Sequence, residues 1–300
     1  MQKKYLFFIS AFLLALNFFM WREVFALNGP KYLKVDFLNV GQGDSAFIQT
    51  PEGHQILIDG GPGSAVLERL SNVMPFWDKS IDLVILTHPE SDHMQGILNV
   101  LQRYKVENFL WTGIVKNDAE NKELAFLLEK AQAPQNSFLA KLSNFRPTKV
   151  VATSAGKEIK AGGVLIDILF PFENLEGQKI KNTSNDSCVV AKLIYGNNSF
   201  LFVGDISSVA EKQLVNSGEN ILSDVLKVAH HGSKYSTSDL FLQNVKPKFA
   251  VIEVGKNSYG HPTPETLQRL EKFGIKVLRT DINGDVDFVS DGNNINLIKN

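Results

Sequence analysis

The sequence has a single cysteine, Cys188, among its 300 residues. One cysteine excludes an internal disulfide and a zinc cage built from cysteine thiolates. An excess of charge of one sign is also missing, because 31 Lys and Arg residues stand against 32 Asp and Glu residues. A balanced chain has no global attraction to nucleic acid or to an anionic membrane, so any contact with DNA must rest on local patches.

One apolar segment stands out, at the N-terminus. Two lysines precede an almost uncharged run from Tyr5 to Trp21. A bilayer span needs about 20 apolar residues, with about 17 at the short limit, so this run predicts a membrane helix. Its basic start predicts a cytoplasmic N-terminus and an extracytoplasmic remainder. We therefore expect a signal anchor in residues 1–27, or a cleaved signal peptide and secretion if Val24-Phe25-Ala26 marks a cleavage site.

Residues 28–300 are expected to form one domain of short strands and helices. Apolar runs separated by glycine-rich turns predict an initial β-meander at Tyr32–Leu38, Ser45–Thr50 and His54–Ile58. Helices and a continuous apolar strand ending at Thr87 follow. After a loop-rich insertion at 134–147, a second set of strands and helices begins near Lys149. Two such halves predict two mixed sheets packed face to face with helices outside.

The strongest chemical signal comes at the end of the apolar strand. There His88, Glu90, Asp92 and His93 fall within six residues. Imidazole and carboxylate both suit zinc, and carboxylate also admits manganese or magnesium, so these side chains are expected to converge on one or two metal ions. A turn that only caps a helix needs one such residue rather than four.

Further histidines and a carboxylate lie far downstream in the same context. Five of the six histidines follow predicted strands, and only His54 does not. The downstream residues are Asp205, His230, His231 and His261. This distribution predicts one site assembled from distant segments of the chain.

These residues and their surrounding motifs resemble the metallo-β-lactamase superfamily, and the match is closest to the hydrolase domain of ComEC-type DNA-uptake competence proteins. The resemblance implies an α/β (α+β) fold, a four-layer αββα sandwich with a site for up to two metal ions at the strand ends. The matching motifs run in order from about Val35 to Phe273: Phe37-Leu-Asn-Val-Gly-Gln-Gly-Asp44, Leu57-Ile-Asp-Gly-Gly61, His88-Pro-Glu-Ser-Asp-His93, Asn185-Asp-Ser187, Gly204-Asp205, His230-His-Gly-Ser233 and Gly260-His-Pro262.

The resemblance also implies roles for single residues. The expected metal ligands are His88, Glu90, Asp92, His93, Asp205, His230 and His261. Among them, His88 would serve a first ion and Asp205 would bridge to a second. The expected catalytic residues are Asp92, Asp205 and His231. Asp92 or Asp205 would accept or orient the proton of the attacking water, and His231 is a candidate to bind phosphate oxygens. Which of the three downstream histidines binds metal and which contacts substrate stays open.

Other residues near the motifs are expected to hold the substrate or to support the ligands. Asn185, Ser187, Ser233 and Lys234 are the candidates to bind phosphate oxygens. For Lys234 the alternative is a solvated loop residue. Asp44 and Asp59 are expected behind the ligands, where they orient them or brace turns.

Two positions depart from the wider superfamily. Glu90 replaces the usual second histidine, and Asn185 with Ser187 stands where a middle histidine is expected. Oxygen donors make the first metal position harder, so this position is expected to favour manganese, to bind a metal ion weakly, or to stay empty until substrate arrives. The ComEC-type family shares both departures.

The leading expectation is therefore an extracytoplasmic phosphodiesterase or nuclease that uses one or two zinc or manganese ions. Its substrate would be DNA or another phosphodiester, and its partner the DNA-uptake machinery. One alternative keeps the fold and changes the bond to a lactam, a thioester or another ester. The other alternative is a catalytically weak module that binds DNA or a membrane partner.

Overall fold

The computed structural model describes residues 2–28, 32–133, 147–179 and 184–298. The chain divides into two compact units, Met1–Tyr32 and Leu33–Asn300. The predicted insertion at 134–147 lies almost entirely outside the described residues.

The first unit contains one helix, α1 (Gln2–Asn28). Over the parts of the chain that the structure describes, we find no helix that combines the length and the apolar character needed to cross a membrane. The predicted N-terminal membrane helix is therefore unsupported; that prediction rested on a run at the short limit of a span. The extracytoplasmic location stays a prediction.

The described residues of the second unit form an eight-stranded and a seven-stranded sheet. The strands of the first sheet are β1 (Leu33–Phe37), β2 (Ala46–Gln49), β3 (Gln55–Ile58), β4 (Ser80–Ile85), β5 (Lys105–Trp111), β6 (Lys149–Ala152), β14 (Val286–Ser290) and β15 (Ile295–Ile298). Those of the second are β7 (Lys157–Ala161), β8 (Val164–Phe170), β9 (Val190–Tyr195), β10 (Asn198–Phe202), β11 (Val225–Lys227), β12 (Phe249–Ile252) and β13 (Lys276–Arg279).

The order of strands is β15-β14-β1-β2-β3-β4-β5-β6 in the first sheet and β13-β12-β11-β10-β9-β8-β7 in the second. Helices α2 (Ala65–Val73), α3 (Ser91–Arg103) and α4 (Ala119–Gln132) belong to the first half. The second half contains α5 (Ser208–Asn216), α6 (Asp239–Val245), α7 (Pro264–Lys272) and the short α8 (Thr280–Asn283).

Three apolar clusters hold these layers together. The inner cluster joins the facing sides of both sheets and includes Phe37, Ile85 and Phe202. The outer side of each sheet is covered by helices, through Ile97 of α3 on one side and Phe241 of α6 on the other. The predicted two-sheet sandwich is thus confirmed, with apolar alternation supplying both faces of the strands.

Strand direction brings the polar loops together. Strands β3 to β6 are parallel to one another, and so are β10 to β13. The loops after β4, β10, β11 and β12 carry the histidines and carboxylates singled out in the sequence. Parallel strands end at a common edge, so side chains distant in sequence meet there.

Two details differ from the sequence prediction. Helix α3 begins at Ser91, so that Asp92 and His93, expected at the end of the apolar strand, lie in the first turn of the helix. Strand β7 was not predicted, because its sequence Lys-Glu-Ile-Lys-Ala is mostly charged and it lies at an edge of the second sheet. Edge strands tolerate such charge.

Candidate metal centre

The first turn of α3 is fixed by close backbone contacts. The Gly60 amide donates to the carbonyl of His93 at 2.8 Å. A Cβ at Gly43 would lie 2.1 Å from the carbonyl oxygen of Asp92, and one at Gly96 would lie 1.9 Å from that of Gly60. Only glycine permits this approach of loop and helix. The positions of Asp92 and His93 therefore follow from glycines in two different motifs.

Four buried side chains converge beside this turn, and we call them the floor cluster: Asp44, His93, Asp205 and His231. Each offers one ligand atom, and these atoms all lie within 4.8 Å of one another. They come from the turn between β1 and β2, from α3, and from the loops after β10 and β11. Two carboxylates and two imidazoles form a donor set that suits zinc or manganese.

Several buried atoms at this place have no hydrogen-bond partner among the described residues. They include Nε2 of His88, Nε2 of His93 and Oδ1 of Asp205. An unsatisfied buried polar group costs about 1–3 kcal/mol, so such groups call for a ligand. The residues present therefore fit a divalent metal ion.

The hydrogen bonds of Thr87 fix the protonation of His88. The Thr87 hydroxyl donates to Oδ2 of Asp59 at 2.6 Å and lies 3.0 Å from Nδ1 of His88. Because that hydroxyl proton is already used, Nδ1 of His88 must donate, which leaves the Nε2 lone pair free to bind a metal. Burial, with His93 beside it, lowers the pKa of His88 to about 3, so the ring is neutral at pH 7.

His93 is held between carboxylates on both sides of its ring. Its Nδ1 donates to Asp59 at 2.8 Å, and its Nε2 lies 3.4 Å from Oδ1 of Asp205. Burial works against the charged ring, but Asp205, Asp44 and Asp59 outweigh it and raise the pKa of His93 well above its usual range. Asp59 thus holds the ring of His93 from behind, while Asp44, expected in the same kind of position, lies in the floor cluster itself.

His231 is the downstream histidine that enters the floor cluster. It adopts a left-handed backbone with φ 51°. Its Nδ1 donates to the Glu253 carbonyl at 2.8 Å, and its Nε2 donates to Oδ2 of Asp92 at 3.2 Å. Burial opposes its charge, but Asp205 and Asp44 raise the pKa of His231 to about 10. The hydrogen bond from Nε2 of His231 also outweighs the effect of burial on Asp92 and lowers the pKa of that carboxyl group.

Four further predicted site residues lie around the floor cluster, and we call them the rim: Glu90, Asn185, His230 and His261. Nε2 of His230 lies 3.8 Å from Oδ2 of Asp205, and its side chain is 35% exposed. Nδ2 of Asn185 lies 3.4 Å from Nδ1 of His230. The ring of His261 lies 5.5 Å from that of His230, one layer farther from the floor cluster.

Glu90, expected as a metal ligand, faces other partners. Both of its carboxylate oxygens lie 2.8 Å from Nζ of Lys116. Oε1 also accepts hydrogen bonds from the amide and the hydroxyl of Ser184, at 3.0 and 2.8 Å. A carboxylate so engaged ties the segment before α4 to the turn that carries Asn185. The structure therefore places Glu90 in a bracing position outside the floor cluster.

The four residues predicted to contact substrate also fall into two groups, which brace loops or remain accessible. Ser187 is buried, and its hydroxyl donates to the Ser184 carbonyl. Ser233 is buried too, and its hydroxyl accepts from the amide of Tyr235 at 3.4 Å. Lys234 is exposed, with Nζ 5.2 Å from the Tyr235 ring. Both serines thus brace loops, while Asn185 lies beside His230 on the rim and Lys234 is exposed to solvent.

Sequence reasoning missed two buried charged residues. Lys227 ends β11, and Nζ of this lysine contacts Asp44 and lies 3.6 Å from Oδ1 of Asp205. Glu253 follows β12 and accepts the Ser45 amide at 2.8 Å. Burial, with Asp44 nearby, raises the pKa of Glu253 to about 8. The available signal was a charged residue inside each of two apolar runs, Val-Leu-Lys-Val-Ala and Ala-Val-Ile-Glu-Val.

Comparison with known proteins agrees with this architecture. Residues 38–255 match the family model described as the metallo-beta-lactamase superfamily. ComE operon protein 3 of Bacillus subtilis is 32% identical over 275 residues, covering 85% of this chain and 33% of that protein. Competence protein ComA of Neisseria gonorrhoeae is 29% identical over 252 residues, covering 83% of this chain and 31% of that protein. The chain thus spans about one third of these relatives.

Solved structures share the fold at low sequence identity. YhfI of Bacillus subtilis, described as a metallo-beta-lactamase fold protein, aligns with a TM-score of 0.56 and 15% identity, covering 87% of this chain and 100% of that one. Igni18 of Ignicoccus hospitalis, described as a metallo hydrolase, aligns with a TM-score of 0.52 and 18% identity, covering 85% of this chain and 98% of that one.

Proposed function

The chain belongs to the metallo-beta-lactamase superfamily, and on that premise we propose that it hydrolyses phosphodiester bonds of single-stranded DNA with the help of one or two manganese or zinc ions. The resemblance seen in the motifs is confirmed by the family match. The observation that carries the proposal is the floor cluster, a buried group of two carboxylates and two imidazoles at the strand ends of the sandwich. The fold and this group together make the chain a metal-dependent hydrolase.

The choice of DNA rests on the relatives. ComE operon protein 3 and competence protein ComA match most of this chain, although the chain spans only about one third of each. We propose a role in DNA uptake or scavenging, with the uptake machinery as partner. The rim supports a phosphate substrate, because Asn185 and His230 offer amide and imidazole donors near the floor cluster.

The side chains that would hold the ion are His93, Asp205 and His231 of the floor cluster, with His88 beside them. A divalent ion bound there supplies a Lewis acid that polarises the phosphoryl oxygen and lowers the pKa of water. Nε2 of His88 presents its lone pair because Thr87 holds the opposite nitrogen. Asp59 holds the ring of His93 in place from behind.

Asp92 is the proton acceptor that the geometry favours. It lies at the start of α3, and its side chain is 36% exposed, so water reaches it. In the metal-free chain, Nε2 of His231 donates to Oδ2 of Asp92. This hydrogen bond would be released if the same nitrogen held the ion. In that state the hydrogen bond overcomes burial and lowers the pKa of Asp92, so the carboxylate of the metal-free chain is ionised at neutral pH. An ionised carboxylate at this place can orient the attacking water or accept its proton. Asn185 and His230 then face the phosphate oxygens from the rim.

A panel of metals and substrates tests the proposal. We expect the full chain, depleted of metal and reloaded with Mn²⁺ or Zn²⁺, to cleave single-stranded DNA and to lose at least about 100-fold in kcat/KM on Asp92→Asn. Val209→Ala, at an exposed apolar position of α5, is the control and should cleave normally. Lactam or thioester hydrolysis without phosphodiester cleavage would move the chain to another substrate class. Metal binding without any hydrolysis would leave a binding module.

A further inference from the structure

The charged end of Lys227 is buried beneath the floor cluster. The side chain is only 2% exposed. Its Nζ contacts Oδ2 of Asp44, donates to the Gly204 carbonyl at 3.1 Å and lies 3.6 Å from Oδ1 of Asp205. The ammonium thus has two close oxygen partners, Asp44 and the Gly204 carbonyl, and a longer ion pair with Asp205. This lysine is therefore a buried positive charge held within the site.

Two of the four floor-cluster donors are thus shared with a cation that the chain supplies itself. Oδ2 of Asp44 is taken by the ammonium. Oδ1 of Asp44 lies 3.2 Å from Nδ1 of His231, whose proton goes to the Glu253 carbonyl. Nε2 of His88 has no hydrogen-bond partner among the described residues, and Nε2 of His93 lies 3.4 Å from Oδ1 of Asp205. The charge of Asp44 is already matched by Lys227, while Nε2 of His88 is still available to a metal ion.

We propose that Lys227 is a resident cation of the metal centre, which makes Asp44 its counter-ion instead of a metal ligand and limits how tightly the site holds a divalent ion. Two cations that share carboxylates repel each other, and the repulsion is strong in a buried environment. The ion is therefore held mainly by His93, Asp205 and His231. The charges of Lys227 and Asp44 cancel, so the pair adds no net charge to the other three side chains of the floor cluster.

Substitutions of Lys227 and Asp44 distinguish the proposed charge pair from two other roles that these residues could have. If Asp44 were a ligand, losing it would weaken metal binding whether or not Lys227 were present. If Lys227 only bridged β11 and the β1–β2 turn, removing it would not tighten metal binding. A resident cation instead predicts opposite effects of the two single changes and cancellation in the double variant, since a matched pair of charges is then removed.

The test is a Mn²⁺ titration of the full chain by calorimetry with a competing chelator. We expect Lys227→Met to bind Mn²⁺ about tenfold more tightly and Asp44→Asn about tenfold more weakly, with the double variant within about threefold of the wild type. Lys192→Met is the matched control, because Lys192 is a buried lysine of the second sheet whose Nζ donates to the Asn220 carbonyl at 2.8 Å. It should leave the affinity unchanged.

A Lys227→Met variant that binds Mn²⁺ no more tightly than the wild type overturns the proposal, and so does a double variant as weak as Asp44→Asn. Removing Lys227 alone leaves a buried carboxylate unpaired, which is strongly destabilising. If that variant fails to fold, the double variant decides by itself. The inference rests on the proposed function only for the binding of a divalent ion. A chain that binds Mn²⁺ but cleaves nothing would refute the hydrolase and leave this test intact.

Discussion

The floor cluster and the rim both consist of residues picked out by the same motifs, yet their environments differ. In the floor cluster, His93 and His231 each have one nitrogen fixed by a protein acceptor, Asp59 or the Glu253 carbonyl. On the rim, the carboxylate oxygens of Glu90 already accept hydrogen bonds from Lys116 and Ser184. A ligand needs support on one side and freedom on the other. A motif shows where a residue lies but not which of its atoms are already used.

The largest expected effect is the loss of metal binding on His93→Ala. This change removes one of the floor-cluster donors and leaves Asp59 and Asp205 without the ring between them. We expect the Kd for Mn²⁺ to rise by at least about 100-fold, as measured by calorimetry. His54→Ala is the control, because His54 is a half-exposed histidine outside the site. If His93→Ala bound Mn²⁺ as tightly as the wild type, the floor cluster would not differ from the rim in metal binding.

The next largest effect is expected from Asp59, which supports the ring of His93 from behind the floor cluster. Asp59 accepts hydrogen bonds from the Thr87 amide, the Thr87 hydroxyl and His93. Asp59→Ala should therefore weaken Mn²⁺ binding by about 10- to 100-fold and lower the Tm of the chain. Asp291→Ala, in an exposed turn, should do neither. If Asp59→Ala unfolds at the wild-type temperature and binds Mn²⁺ normally, the ring of His93 needs no support from Asp59.

Much of this contrast could be predicted from sequence, and the rest depends on long-range contacts. Alternating apolar runs specify both faces of the sandwich, and histidines after apolar strands mark the site. The carboxylate of Glu90 is held outside the floor cluster by Lys116 and Ser184, which lie 26 and 94 positions away in the sequence. Lys227 meets Asp44 only because β11 ends beside the turn between β1 and β2. Spacing within a motif carries no information about such partners.

The pH dependence of stability sharpens the comparison further. In the metal-free chain, Asp205 and Asp44 outweigh burial and raise the pKa of His231 to about 10, above its ordinary value of 6.5. A raised pKa adds stability that is fully present below about pH 6.5 and is lost as the pH rises through about 10. We expect the Tm in chelator to fall by several degrees between pH 7 and 10. A bound ion replaces the proton, so the Tm with Mn²⁺ should change less over that range.

The smallest expected effect on metal binding belongs to the rim. Glu90→Gln keeps the size of the side chain and removes its charge toward Lys116. We expect the Kd for Mn²⁺ to change less than about threefold, while kcat/KM on DNA falls by up to about tenfold as the turn carrying Asn185 loosens. Lys116→Met should behave in the same way. Loss of metal on Glu90→Gln would show that Glu90 is a ligand after all.

The most direct test of the metal centre is the metal content of the full chain purified without chelator. Elemental analysis should find at least one divalent ion per wild-type chain, close to the same content in Glu90→Gln, and none in His93→Ala. A wild-type chain free of metal, or a His93→Ala chain that retains as much metal as the wild type, would contradict the assignment of the floor cluster as the metal centre.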